Sequence, residues 1–197
     1  MLKIAVFVSG GGTNLQAIMD AKAAGQIPNG TIKLVVASRP GAYALERAAK
    51  AQIESAVLVR KDYASQDAFD DALLGLLKEH GIELVVLAGY LTILSERVIR
   101  AYPRRILNIH PSLIPSFCGA GFYGMKVHEA ALAKGVKVTG ATVHFVNEIP
   151  DGGEIVLQKA VAVEPGDTPE TLQQRVMEQA EWQLLPRAIE LCCEGKV

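Results

Sequence analysis

Asn108 and His110 are the residues whose types and spacing most directly suggest chemistry. They lie in Arg105-Ile106-Leu107-Asn108-Ile109-His110, a strand-like run that Pro111 ends. Side chains two apart on a strand point the same way. Leu107 and Ile109 therefore share one face, and Asn108 and His110 share the other. Asn108 can offer an amide N–H to an acyl oxygen, and His110 can exchange a proton near neutral pH. Together they suit an addition that builds negative charge on a carbonyl oxygen. A strand with one solvated face would show the same alternation. The balance moves toward a site because the pair runs straight into a loop, residues 115–124, rich in Gly and Pro. No serine or cysteine reads as a covalent nucleophile, so direct transfer between two bound substrates is the simpler scheme. His128 and His144 are too scattered to specify a metal site and read as packing or polar-face residues.

A second candidate is Ser9-Gly10-Gly11-Gly12-Thr13-Asn14, which joins an apolar strand to a helix. Glycines let the backbone approach an anion, and a helix N-terminus offers free N–H groups and a positive dipole end. The dinucleotide fingerprint is absent, because position 15 is leucine where a third glycine is needed. The Walker loop is absent too, because no Gly-Lys-Ser/Thr follows. What remains suits one phosphate monoester, with a plain strand-to-helix turn as the alternative. A third segment, Asp151-Gly152-Gly153, reads by itself as a turn. An aspartate brought beside His110 would favour the protonated ring.

These residues need a scaffold, and the chain alternates strand and helix signals. Ile4–Val8, Ile32–Ala37, Ala56–Val59 and Leu84–Ala88 are apolar runs expected as strands. Helices are expected after Asn14, over about Tyr43–Ala51 and over Ala68–Lys78, the last stopped by Gly81. Ile106–His110 follows as a strand, then Val127–Ala133 as a helix. Thr139–Val146 and Glu154–Val163 are strands able to pair antiparallel. Asp167-Thr168-Pro169-Glu170 opens one long final helix, capped by Asp167 or Thr168. The expectation is an α/β fold: a Rossmann-like, doubly wound, mostly parallel sheet of about seven strands with an antiparallel C-terminal extension. It forms a single domain, residues 1–197. An N-terminal phosphate-binding lobe spans about 1–103, and a catalytic lobe about 104–197.

Composition narrows the classes of function. Net charge is −1, from 20 basic and 21 acidic residues among 197, which gives no polyanion-binding surface. Nucleic acid is therefore not an expected partner. Cys118, Cys192 and Cys193 form no C-x-x-C pair, which suits a reducing, cytoplasmic setting. No apolar run approaches the roughly 20 residues of a membrane span.

Four segments then carry a family resemblance. They are Val8-Ser9-Gly10-Gly11-Gly12-Thr13-Asn14-Leu15-Gln16, Leu87-Ala88-Gly89-Tyr90-Leu91-Thr92-Ile93-Leu94, Leu107-Asn108-Ile109-His110-Pro111-Ser112-Leu113-Ile114-Pro115, and Thr142–Val146 through Asp151-Gly152-Gly153. In order and spacing the chain resembles the phosphoribosylglycinamide formyltransferases of de novo purine synthesis, over essentially its whole length. The Asn-x-His-Pro-Ser-Leu segment is shared with other folate-dependent formyltransferases; the glycine loop with Thr-Asn-Leu-Gln marks this branch. The resemblance implies that Gly12, Thr13 and Asn14 hold the phosphate of glycinamide ribonucleotide. It implies that 10-formyltetrahydrofolate lies against Leu91, Thr92, Ile93 and Leu94 and the loop Asn147–Asp151. Asn108 then holds the formyl oxygen, His110 donates the proton, Asp151 supports His110, and no metal is required. Gln66 stands where some members carry an arginine that meets the folate tail, and the loop 117–124 is longer than in some relatives. Glu181 matches a glutamate that touches the ribose, with one extra residue before it. The expected assembly is a monomer or homodimer. Rival readings are another formyltransferase, acting on methionyl-tRNA or a nucleotide sugar, and a non-catalytic folate- or nucleotide-binding module. Near-zero charge and the retention of Asn108, His110 and Asp151 oppose them.

Overall fold

Apolar runs buried on both faces form the centre of one seven-stranded sheet in the computed structural model, which describes all of residues 1–197. Strand β1 (Leu2–Val8) is followed by helix α1 (Thr13–Ala23), β2 (Gly30–Ala37), α2 (Tyr43–Lys50) and β3 (Glu54–Val57). Helix α3 (Gln66–Glu79), β4 (Leu84–Leu87), a short α4 (Glu96–Ala101) and β5 (Ile106–His110) continue the alternation. Then come α5 (Met125–Lys134), β6 (Val138–Phe145), β7 (Ile155–Ala162), α6 (Pro169–Val176) and α7 (Trp182–Cys193). The strand order is β3-β2-β1-β4-β5-β6-β7. The first five strands of that order are parallel, and β6 and β7 add antiparallel. The doubly wound sheet with an antiparallel extension is therefore present as expected. None of its helices is long and apolar enough to cross a membrane.

Alternation along β1 sorts the core into two layers. Ile4, Val6 and Val8 face α1, α2, α6 and α7, while Ala5 and Phe7 face α3 and α4. The chain winds outward from β1 through β2 to β3, then returns to place β4 on the other side of β1. That reversal makes the ends of β1 and β4 the switch point, where connecting loops diverge and leave a crevice.

Two local outcomes differ from the sequence reading, and a third decides between its alternatives. Helix α4 lacks the length to show a periodicity; Ser95 starts it, its hydroxyl accepting the Val98 N–H. Of the two candidate caps at the last helical region, Thr168 caps α6, and Asp167 instead holds Arg175. That guanidinium keeps the Asp167 carboxyl well below the usual carboxylate range. The expected single long helix is interrupted by a π turn, Met177–Glu181. Its cause is visible in the buried stripe Leu172, Val176, Ala180, Leu184. Each four-residue step overshoots a full α-helical turn by about 40°, so three steps would drift by about 120°. One π turn absorbs one extra residue, about 100°, and returns the stripe to the core.

Packing margins here are small. A Cβ at Gly140 would sit 2.0 Å from the Lys159 carbonyl oxygen of the paired strand. Gly140→Ala should therefore cost about 3 kcal/mol, read as a lower urea midpoint with an unchanged m-value. His128 of α5 is 1% exposed, and neither ring nitrogen has a hydrogen-bond partner. Burial, then the nearby His110, pushes its pKa down from 6.5 to about 4. The folded state thus disfavours its proton. The stability this represents is complete above pH 6.5 and is lost as pH falls toward 4, by up to about 3 kcal/mol. His128→Leu should flatten that part of the stability–pH curve; an unchanged slope would show that other groups set it.

Candidate active site

The antiparallel pairing of β5 with β6 assembles the site. Its register sets Asn108 opposite His144 and His110 opposite Thr142. Directly opposed residues share a sheet face, so Asn108 meets His144, with Nδ2 3.1 Å from the ring Nε2. His144 Nδ1 lies 2.8 Å from the Phe145 carbonyl, which can only accept, so that nitrogen carries a proton. In the neutral ring, Nε2 is then the acceptor for one amide hydrogen of Asn108. The second amide hydrogen stays available.

Asp151 closes the group from the loop between β6 and β7. Its Oδ1 lies 3.5 Å from His144 Nε2, and its Oδ2 lies 3.6 Å from His110 Nδ1. The Gly119 N–H donates to Oδ2 at 2.8 Å. Burial pushes this carboxyl up, but the His144 contact, the Gly119 N–H and the nearness of the two imidazoles outweigh it, so it sits below the ordinary range. Asp151 is therefore anionic at neutral pH. The His110 ring, 4% exposed, sends Nε2 to the Phe117 carbonyl at 2.9 Å. Both its nitrogens face acceptors, the arrangement that suits a proton donor. Thr142 fixes the turn beyond His110 by donating to the Ser112 carbonyl at 2.7 Å and accepting the Ile114 N–H at 3.1 Å.

A cleft of about 430 Å³ opens beside this group. One wall is Leu91, Thr92, Ile93 and Leu94; the other is Asn147–Asp151; Asn108 and His144 form the floor. Gln66 does not line it. Its amide accepts from Arg60 Nε at 2.7 Å and donates to the buried Asp70 at 2.7 Å, inside a polar chain that ends on Ser95.

At the end of β1, Gly12 precedes α1 with φ 72°, and a Cβ there would lie 2.6 Å from Ala44 Cβ. Only glycine fits that approach of α2 to the loop. Arg47 Nε donates to the Gly11 carbonyl at 2.8 Å, and Arg39 Nε to the Ser9 carbonyl at 2.5 Å. The loop is thus held by two cations, with the α1 N-terminus behind it. Asn14 of the first turn donates to Glu181 Oε2 at 2.7 Å. Glu181 is the last residue of the π turn. Burial pushes the Glu181 carboxyl up, and the Asn14 bond partly opposes this. A wider groove of about 650 Å³ runs along α1 between Thr13, Arg47 and Trp182, away from Asn108 and His144.

The structure thus brings Asn108, His110 and Asp151 together and places Leu91–Leu94 beside them. Three groups escaped the sequence reading. His144 reads in sequence as a scattered histidine, although the alternation that pairs Asn108 with His110 also runs through Thr142 and His144. The Phe117 carbonyl and the Gly119 N–H are main-chain groups, which residue type does not reveal.

Comparison with known proteins shows the family of the chain. A family model described as formyl transferase matches residues 2–189. A phosphoribosylglycinamide formyltransferase from Haemophilus influenzae is 43% identical over 197 residues, which is all of this chain and 90% of that protein. The solved glycinamide ribonucleotide transformylase 1 from Symbiobacterium toebii superposes with a TM-score of 0.92 at 45% identity, over 99% of this chain and 89% of that one. The solved phosphoribosylglycinamide formyltransferase from Brucella melitensis gives a TM-score of 0.89 at 41% identity, over 100% of this chain and 97% of that one. The chain belongs to the formyl transferase family, in its phosphoribosylglycinamide formyltransferase branch.

Proposed function

We propose that the protein transfers the formyl group of 10-formyltetrahydrofolate to the amine of glycinamide ribonucleotide, a step of purine synthesis, in the cytoplasm. The observation that carries this is the convergence of His144 and His110 on Asp151 beside the cleft, with Asn108 bonded to His144. The folate pterin occupies the cleft, where the segments 91–94 and 147–151 offer main-chain groups to its edge. The substrate phosphate sits at Gly12, Thr13 and Asn14, and its ribose reaches Glu181.

The amine nitrogen attacks the formyl carbon, and the new C–N bond forms as the carbonyl oxygen becomes negative. Asn108 donates its free amide hydrogen to that oxygen. Such a preorganised donor in a dry site supplies about 3 kcal/mol of transition-state stabilisation. His144 fixes the amide's orientation by accepting the other hydrogen. The imidazolium of His110 stabilises the adduct and supplies a proton. Collapse breaks the bond between the formyl carbon and the folate nitrogen, which leaves carrying a proton. The amine gives up one proton in turn, so His110 is restored. Asp151, ionised throughout, balances the imidazolium charge. These steps require only the side chains named here.

The direct test mixes protein, glycinamide ribonucleotide and 10-formyltetrahydrofolate and follows the deformylated folate by absorbance. Turnover is expected; none from well-folded protein would sink the reading. His110→Ala should lower kcat by about 10²- to 10⁴-fold and leave nucleotide affinity nearly unchanged. A parallel collapse in nucleotide affinity would make His110 a binding group instead. Glu181→Gln should raise the nucleotide KM by about tenfold with the folate KM unmoved, since one charge-assisted hydrogen bond to a ribose hydroxyl is weakened. Equal KM values for variant and parent would remove Glu181 from the site.

A further inference from the structure

The wall of the cleft formed by Gly89–Leu94 has few attachments to the rest of the protein. Tyr90 and Leu94 are buried, whereas Leu91 and Ile93 are 62% and 80% exposed. Along this whole segment a single main-chain group is hydrogen-bonded within the protein: the Leu91 N–H donates to Ser9 Oγ at 2.8 Å. Ser9 is 5% exposed, and its Oγ lies 2.6 Å from Ser38 Oγ. Ser9 Oγ accepts from Leu91, and the two serine hydroxyls share a further hydrogen bond in which either can donate. Ser9 is also the first residue of the glycine loop, and its carbonyl is held by Arg39.

This hydroxyl therefore spans the switch point. The loop after β1 leads to one proposed substrate subsite, and the loop after β4 forms the wall of the other. At a switch point the two loops diverge, and no ladder hydrogen bond joins them beyond Ala88 N–H to the Phe7 carbonyl at 2.9 Å. We propose that Ser9 is a positioning residue: its hydroxyl sets the distance between the folate wall and the phosphate loop, and so the distance between the formyl carbon and the amine. The proposal rests on the assignment of the two subsites above. Direct transfer is sensitive to such a distance. Reacting atoms must be held at about 3–3.5 Å, and a misplacement of about 1 Å costs on the order of 10²-fold in rate. Two subsites tied by one hydroxyl are one way to hold that geometry, because neither ligand alone measures the gap.

The expected signature is a loss in the ternary complex without a matching loss in either binary complex. Ser9→Ala should lower kcat by about 10- to 100-fold. The affinities for tetrahydrofolate alone and for glycinamide ribonucleotide alone, measured by titration calorimetry, should stay within about threefold of the parent. Ser38→Ala removes the hydroxyl partner of Ser9 but keeps the Leu91 bond, so its loss should be smaller. In the parent protein, the Leu91 amide should be protected from hydrogen exchange while Thr92 and Ile93 exchange freely. A Ser9→Ala enzyme with kcat within twofold of the parent would overturn the proposal, as would binary affinities that fall as far as kcat does. An unprotected Leu91 amide overturns it without any variant. Absence of turnover in the parent itself would instead overturn the assigned reaction, which keeps the two failures apart.

Discussion

The register of β5 against β6 is the constraint on which the site depends. It sets Asn108 opposite His144, and the Phe145 carbonyl decides which ring nitrogen faces the amide. A slip of one residue would turn His144 to the opposite face of the sheet and leave the Asn108 amide unoriented. The same pairing delivers the loop that carries Asp151. That carboxylate accepts the Gly119 N–H and lies within 3.6 Å of both imidazoles. Buried polar groups are costly unless paired, so the cluster is stable only when all its members are present.

The second substrate region is built by a different means. The glycine loop follows from β1 ending at a switch point, and its shape is set by α2 pressing on Gly12 and by Arg39 and Arg47 holding carbonyls. Glu181 arrives from the far end of the chain. The buried stripe Leu172, Val176, Ala180 and Leu184 would drift by about 120° if the geometry stayed α-helical. The π turn absorbs that rotation, so Leu184 and Leu185 stay in the core and Glu181 stays on Asn14. A hydrogen-bonding irregularity thus preserves both packing and the polar contact.

Much was legible in the sequence, for physical reasons. Strands buried on both faces read as apolar runs because water is excluded from both sides, and that fixed the doubly wound class. The period of two put Asn108 and His110 on one face. Glycine at position 12 follows from a left-handed φ under a close helix. The amino-acid pattern by itself thus determined the elements, the polar pair at the end of β5 and an anion-seeking loop at the end of β1. The family resemblance added Asp151 and the Leu91–Leu94 wall.

Tertiary structure decided what periodicity has no access to. His144 enters the site because two strands pair in one register, and a single strand carries no record of its partner. The Phe117 carbonyl and the Gly119 N–H hold His110 and Asp151 through main-chain atoms, which every residue possesses. Gln66 is drawn into a chain with Arg60 and Asp70 that its neighbours in sequence do not reveal. The Ser9 hydroxyl meets Leu91 only because β1 and β4, 82 positions apart at these two residues, lie side by side at the switch point. Sequence period is a local property of one element, whereas register, loop placement and the meeting of distant hydroxyl and amide are set by how elements pack.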